Sequence, residues 1–306
     1  MPKENTHLFF ARKLANKFKD QGIKKIIGDN PDYYYLGSVA PDIFFYGKNE
    51  KEWKISAALH GKDGELSNKI VFQMLDLAKE RKSEKDLAFA IGYLTHSVLD
   101  GIFHPVIIYL TGNIFSRDKE IYRRANSAHR QWETCLDKKI NDSCFYSDLI
   151  KIENAGQTDY GELAAKQFDV LPGKILELIK KQALINRLIR SRAVYFIFLL
   201  LVWLGLYGRE EDLPLSYFNL KNGEEIIPEA IKYRDFISGE EKETNLEKLI
   251  TESAAKGEKA ISAAVGYYFG KIGRKELEAA IPGESMETGK VNCPATAIKF
   301  FQVDKQ

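Results

Sequence analysis

His96, Asp100 and His104 stand four residues apart in a run that is otherwise apolar, with Leu94, Val98, Leu99, Ile102 and Phe103 around them. A helix advances about 100° per residue, so a step of four turns a side chain only about 40° about the axis. The three polar groups therefore share one stripe on a helix whose remaining surface is apolar. Such a helix belongs in a core, and polar groups carried into a core must find partners there. Whatever fold the chain adopts has to bring further polar groups against this stripe.

The same spacing recurs at His129 and Glu133. The two helices together offer imidazole nitrogen and carboxylate oxygen without thiolate, donors that suit zinc and also fit manganese or iron. Asp100, set between two histidines, has two oxygens with which to bridge two ions. Histidine–carboxylate pairs on helices are also common as plain surface pairs, and the residues alone leave both readings open. All five histidines (His7, His60, His96, His104 and His129) fall within the first 129 of 306 residues, which places the chemistry in that part of the chain. Cys135, Cys144 and Cys293 are odd in number, far apart and without a CxxC, so neither a disulfide framework nor a cysteine metal site is expected, and the compartment is read as reducing. A net charge of +2 gives no reason to expect nucleic acid as a partner.

Apolar residues recur at helical spacing almost throughout. Helices are expected from about 6 to 19, capped by Asn5 or Thr6, and from 65 to 81, with His60 shortly before it. Others are expected over 83–103, ended by Pro105, and over 117–140. Two more fill 161–188, split at Pro172-Gly173, and two follow near 228–237 and over 244–271. Residues 28–47, rich in Pro and aromatics, read as loop or short helical turns, and no strand pattern of any length is visible. The fold class is all-α, a single compact multi-helix domain over 1–282 with a C-terminal tail over 283–306. Residues 193–207 (AVYFIFLLLVWLGLY) form a helix roughly 22 Å long against a hydrocarbon core of about 30 Å, too short to span. They are read as a buried central helix or, with Arg187, Arg190 and Arg192 ahead of them, as a peripheral contact with an anionic bilayer.

The order of several short motifs resembles the zinc-dependent phospholipase C family: Thr6-His7, then Gly37 to Asp42 (GSVAPD), Leu59-His60-Gly61, Leu94 to Pro105 (LTHSVLDGIFHP) and His129 to Glu133 (HRQWE). The resemblance implies an all-helical fold around a cluster of two or three zinc ions. In it His60, His96 and Asp100 hold one ion, His104, His129 and Glu133 a second, and His7 with Asp100 a third. Asp42 corresponds to the aspartate that the family uses as ligand or base. The reaction implied is hydrolysis of a phosphodiester, most often in a glycerophospholipid, by hydroxide formed where zinc lowers the pKa of bound water. Two other readings stand beside it. One is a phosphodiesterase like the related single-strand nucleases, with Tyr33 to Tyr35 and Phe44 to Tyr46 stacking on bases. The other is a catalytically silent, membrane-associated helical metal protein. By resemblance to those nucleases, Pro2, five residues before His7, would supply its amine as a ligand once Met1 is removed. Arg12 and Lys13 interrupt any secretory apolar region, so a cytoplasmic location is expected.

Overall fold

A computed structural model describes residues 3–140, 145–153, 158–208, 210–219 and 226–302. The first helices are α1 (Glu4–Lys17), α2 (Gln21–Asp29) and α3 (Pro31–Gly37), then a 3-10 turn (Ala40–Tyr46), α4 (Glu50–Leu59), α5 (Lys69–Arg81), α6 (Glu84–Thr111) and α7 (Lys119–Ile140). The second half holds α8 (Tyr146–Leu149), α9 (Asp159–Phe168), α10 (Pro172–Leu188) and α11 (Arg192–Trp203), a strand pair, α12 (Leu246–Tyr268) and α13 (Arg274–Ala280). Pro2 lies outside the described residues.

The stripe-bearing helix α6 is the centre of the fold. Ser83 caps its start by accepting from the Asp86 amide, and α1, α3, α5, α7 and α12 pack around it. It does not stop before Pro105. The ring forfeits one backbone bond, at a cost of about 3 kcal/mol, but Val106, Ile107 and Ile108 beyond it are buried, each worth roughly 1.5–3 kcal/mol, and the helix runs on to Thr111. The α3–α6 crossing is unusually close because Gly37 and Gly92 face it. A Cβ on Gly92 would lie 2.0 Å from the Tyr34 carbonyl oxygen, and one on Gly37 would lie 2.1 Å from that of Phe89.

Elsewhere the structure corrects several expectations. α1 starts at Glu4, with Asn5 and Thr6 inside it rather than capping it, because both side chains turn inward to Asp137 on α7. His60 ends a helix, α4, that periodicity did not reveal; Asn49 and Glu52 cap its start reciprocally. Residues 228–237 are not helical: β1 (Ile231–Arg234) pairs antiparallel with β2 (Glu241–Thr244), Ile231 opposite Thr244, and Asp235 closes the turn by accepting from the Ile237 and Ser238 amides. Four-residue strands are too short to show alternation. The segment at 193–207 is not the central helix. Only Tyr195 of α11 is buried, whereas Phe196 (53%), Ile197 (59%) and Trp203 (79%) are exposed, as is Leu206 just beyond it (72%).

After α13 the chain returns to α6. Asn68 donates to the Ile281 carbonyl at 2.6 Å, the Ser67 hydroxyl to that of Glu284 at 2.6 Å, and the Ala295 amide to that of Lys62 at 2.7 Å. Met286 is fully buried.

Candidate metal centre

Five elements converge on one point. α1 brings His7, the 3-10 turn Asp42, the end of α4 His60, α6 the stripe His96, Asp100 and His104, and α7 His129 with Glu133. None of these eight residues is more than 5% exposed.

Three groups of donor atoms form, each within 4.8 Å: His7 with His96 and Asp100, Asp42 with His60 and His96, and His104 with His129 and Glu133. Asp100 sits between the first two. Its Oδ1 is 3.3 Å from His7 Nε2, while Oδ2 is 3.1 Å from His96 Nε2 and 3.7 Å from His60 Nε2. Asp42 turns Oδ1 to the same two rings, 3.2 Å from His60 and 3.5 Å from His96. In the third group His129 Nε2 is 3.0 Å from Glu133 Oε1. The structure thus draws Asp42 in among the histidines, and His96 faces two carboxylates.

The far side of each ring decides what the near side can do. His60 Nδ1 lies 2.6 Å from the Ser56 carbonyl, His96 Nδ1 2.9 Å from that of Ser38 and His104 Nδ1 2.9 Å from that of Met286. A carbonyl only accepts, so Nδ1 carries a proton in each ring; Nε2 of His60 and of His104 then turns its lone pair to the centre, and Nε2 of His96 does so once it gives up the proton it holds toward Asp100 and Asp42. His129 Nδ1 is 3.3 Å from the Thr111 hydroxyl. Ser38 follows Gly37, so the close glycine crossing is what lets its carbonyl reach His96.

Nε2 of His7, His60, His96 and His104, Oδ1 of Asp42 and both oxygens of Asp100 are buried without a hydrogen-bond partner. Native interiors rarely leave such atoms unsatisfied, and here imidazole nitrogens and carboxylate oxygens face one another. A cation satisfies that set, and three carboxylates with imidazoles fit zinc in donor type.

Charge follows geometry. Burial pushes the imidazoles of His7, His104 and His129 toward the neutral form, His104 most strongly. On His96 burial acts the same way, yet Asp100 and Asp42 outweigh it and hold the ring up to about 10. Burial opposes ionisation of Asp42 and Asp100 as well, but His96 foremost keeps both below the ordinary carboxylate range.

The sequence reading missed several supporting residues. Asp137 accepts from Thr6 at 2.7 Å and Asn5 at 3.1 Å, fixing α1, and hence His7, against α7. The signal was present, since Asp137 extends His129 and Glu133 by another four residues. Met286 and Glu287 had no local signal. Of the six aromatics weighed as base platforms, Tyr34 and Phe44 are buried in the core, and Phe45, 5.3 Å from the His60 ring, is part exposed.

The sequence model of one protein family, described as zinc dependent phospholipase C, matches residues 6–182. All eight side chains at the centre lie within that stretch. No curated protein and no solved structure matches the chain.

Proposed function

Because the chain belongs to the zinc-dependent phospholipase C family, we propose that it hydrolyses the phosphodiester of a glycerophospholipid in the manner of a phospholipase C, with two or three zinc ions held by His7, Asp42, His60, His96, Asp100, His104, His129 and Glu133. The observation that supports this best is the set of buried nitrogen and oxygen atoms that converge without hydrogen-bond partners. Zinc supplies Lewis acidity toward the phosphoryl oxygens and lowers the pKa of water. The chain supplies the rest. Asp100, with an oxygen toward each of two donor groups, sets their spacing; the carbonyls of Ser56, Ser38 and Met286 hold three imidazoles in the donor tautomer. Asp42 accepts the proton of the attacking water or orients it. The water oxygen forms the new bond to phosphorus, and the glycerol oxygen leaves with a proton, giving diacylglycerol and a phosphorylated headgroup.

The partner we assign to α11 is the bilayer. Phe196, Ile197, Trp203 and Leu206 expose apolar surface, and the exposed Arg187 and Arg192 flank its start with positive charge. The helix is also tied to the centre: Tyr207 donates to Asp212 at 2.7 Å, and Asp212 pairs with Arg130, the neighbour of His129.

The test is zinc analysis of the purified protein together with assays on phospholipid vesicles, a soluble phosphodiester and single-stranded DNA. Phosphorylated headgroup released from vesicles, and lost in Asp42→Asn, is expected. Cleavage of DNA with vesicles untouched would replace this reading by the nuclease one. Bound zinc without any hydrolysis would leave a structural metal protein.

A further inference from the structure

The eight donors come from residues 7 to 133, yet one of them is aimed by a segment more than 150 residues further on. His60 and His96 are held from behind by carbonyls of Ser56 and Ser38, both inside the family-matched stretch. His104 is held by Met286, outside it, and Glu287 brings Oε2 to 3.4 Å from the same Nδ1. Glu287 is itself buried, so this is a carboxylate placed in the interior and not a surface pair.

The segment that carries it is built onto the centre. The Met286 amide donates to the His60 carbonyl at 2.8 Å while the Met286 carbonyl accepts from His104, so one residue grips a histidine from each of two donor groups. Three residues on, Gly289 takes φ +62 and presses against α6 so closely that a Cβ there would lie 2.2 Å from the Gly101 carbonyl oxygen. That is the carbonyl left without its helical donor by Pro105. Lys290 then pairs with Asp235 at 3.2 Å, and the Lys299 amide donates to Phe236 at 2.8 Å, anchoring the far end on the strand turn.

We propose that Glu287 is a positioning residue of the metal centre, acting through His104: with the Met286 carbonyl it fixes the ring's rotation and tautomer, and its negative charge behind Nδ1 strengthens Nε2 as a donor to the ion shared with His129 and Glu133. The inference rests on the metal reading given above. A carboxylate behind a ligating imidazole is worth tenfold to a hundredfold in metal affinity.

The experiment uses the full chain with Glu287→Gln, which keeps the size and removes the charge, Glu287→Ala, and Glu287→Asp as the conservative variant. Zinc is titrated against a chromogenic chelator, cobalt(II) is substituted and its visible bands recorded, and melting is followed in parallel. The ion held by His104, His129 and Glu133 is expected to lose tenfold to a hundredfold affinity in Glu287→Gln and Glu287→Ala, with shifted cobalt bands, and Glu287→Asp to recover part of both. Wild-type zinc affinity and cobalt bands in Glu287→Gln overturn the proposal, as does a lower melting temperature with unchanged affinity. A wild-type chain that takes up no zinc overturns the metal reading itself, which the wild-type arm registers separately.

Discussion

Replacing Gly92 by alanine tests whether the α3–α6 crossing aims His96. The new methyl carbon would lie 2.0 Å from the Tyr34 carbonyl oxygen and 3.2 Å from the Ser38 amide nitrogen. Carbon and oxygen settle near 3.3 Å, so α3 must retreat by about 1.3 Å. The Ser38 carbonyl now stands 2.9 Å from His96 Nδ1. A retreat of that size carries it past about 3.6 Å, where the hydrogen bond no longer exists. Overpacking costs about 1–3 kcal/mol and the stranded imidazole N–H another 1–3 kcal/mol. Better helix propensity returns about 1 kcal/mol. A net loss of about 1–5 kcal/mol lowers the melting temperature by roughly 2–20 °C. Zinc affinity should fall too, because His96 belongs to two donor groups. Gly101→Ala on the same helix is the control, since nothing lies closer than 3.7 Å to its added carbon, and it should be neutral or slightly stabilising. Calorimetry and chelator competition measure both quantities. Gly92→Ala matching Gly101→Ala in stability and in zinc affinity would falsify the argument that the crossing positions the ring.

Four further outcomes are expected. Asp100→Ala should lower zinc content by more than one ion per chain while His129→Ala removes about one, since Asp100 turns one oxygen to His7 and the other to His60 of the neighbouring group whereas His129 belongs to a single group; elemental analysis reads the difference, and equal losses would refute the bridging role. In the metal-free protein His96 stays protonated at pH 7 because its pKa is about 10, whereas burial keeps His7, His104 and His129 neutral. Zinc binding should therefore expel about one proton, measured by calorimetry in buffers of different ionisation enthalpy. By the same sign, the stability that His96 lends the metal-free fold is full below its unfolded pKa of about 6.5 and disappears as pH rises through about 10. Trp203→Asp should leave melting within about 2 °C of wild type, because the side chain is 79% exposed, yet weaken binding to anionic vesicles at least tenfold; unchanged vesicle binding would remove α11 from the interface.

What could be read in the sequence, and what could not, divides by range. The stripe at 96, 100 and 104 and its echo at 129 and 133 are local patterns, and helical geometry carries them straight into structure. Pro105 misled because a local rule, that proline ends helices, met a buried apolar run strong enough to override it. For α11 the sequence offered composition but no periodicity: a helix apolar on every side does not say whether protein or lipid covers it. Asp42 and His60 have no helical partner in the sequence; the crowding of histidines marked His60 and only the resemblance gave it a role or indicated Asp42, and contacts between separate elements bring them together. The Met286–Glu287 segment lies 182 residues from His104 and is joined to it by a backbone carbonyl, which any residue possesses. Nothing in side-chain identity marks such a contact in advance.

The polar stripe also bears on where α6 resides. By length and composition this helix of 28 residues could cross a bilayer, although 83% of its most apolar window is buried in the protein. A translocation channel samples such a segment while it is still an isolated helix, before any partner has packed on it. An aspartate at the middle of a candidate span costs about 2.5–3.5 kcal/mol toward insertion, and Asp100 lies near the midpoint of α6 with a histidine one turn to either side. The side chains that gather at the centre of the fold thus also raise the cost of placing this helix in a bilayer. Asp100→Leu would remove that cost together with the proposed bridge.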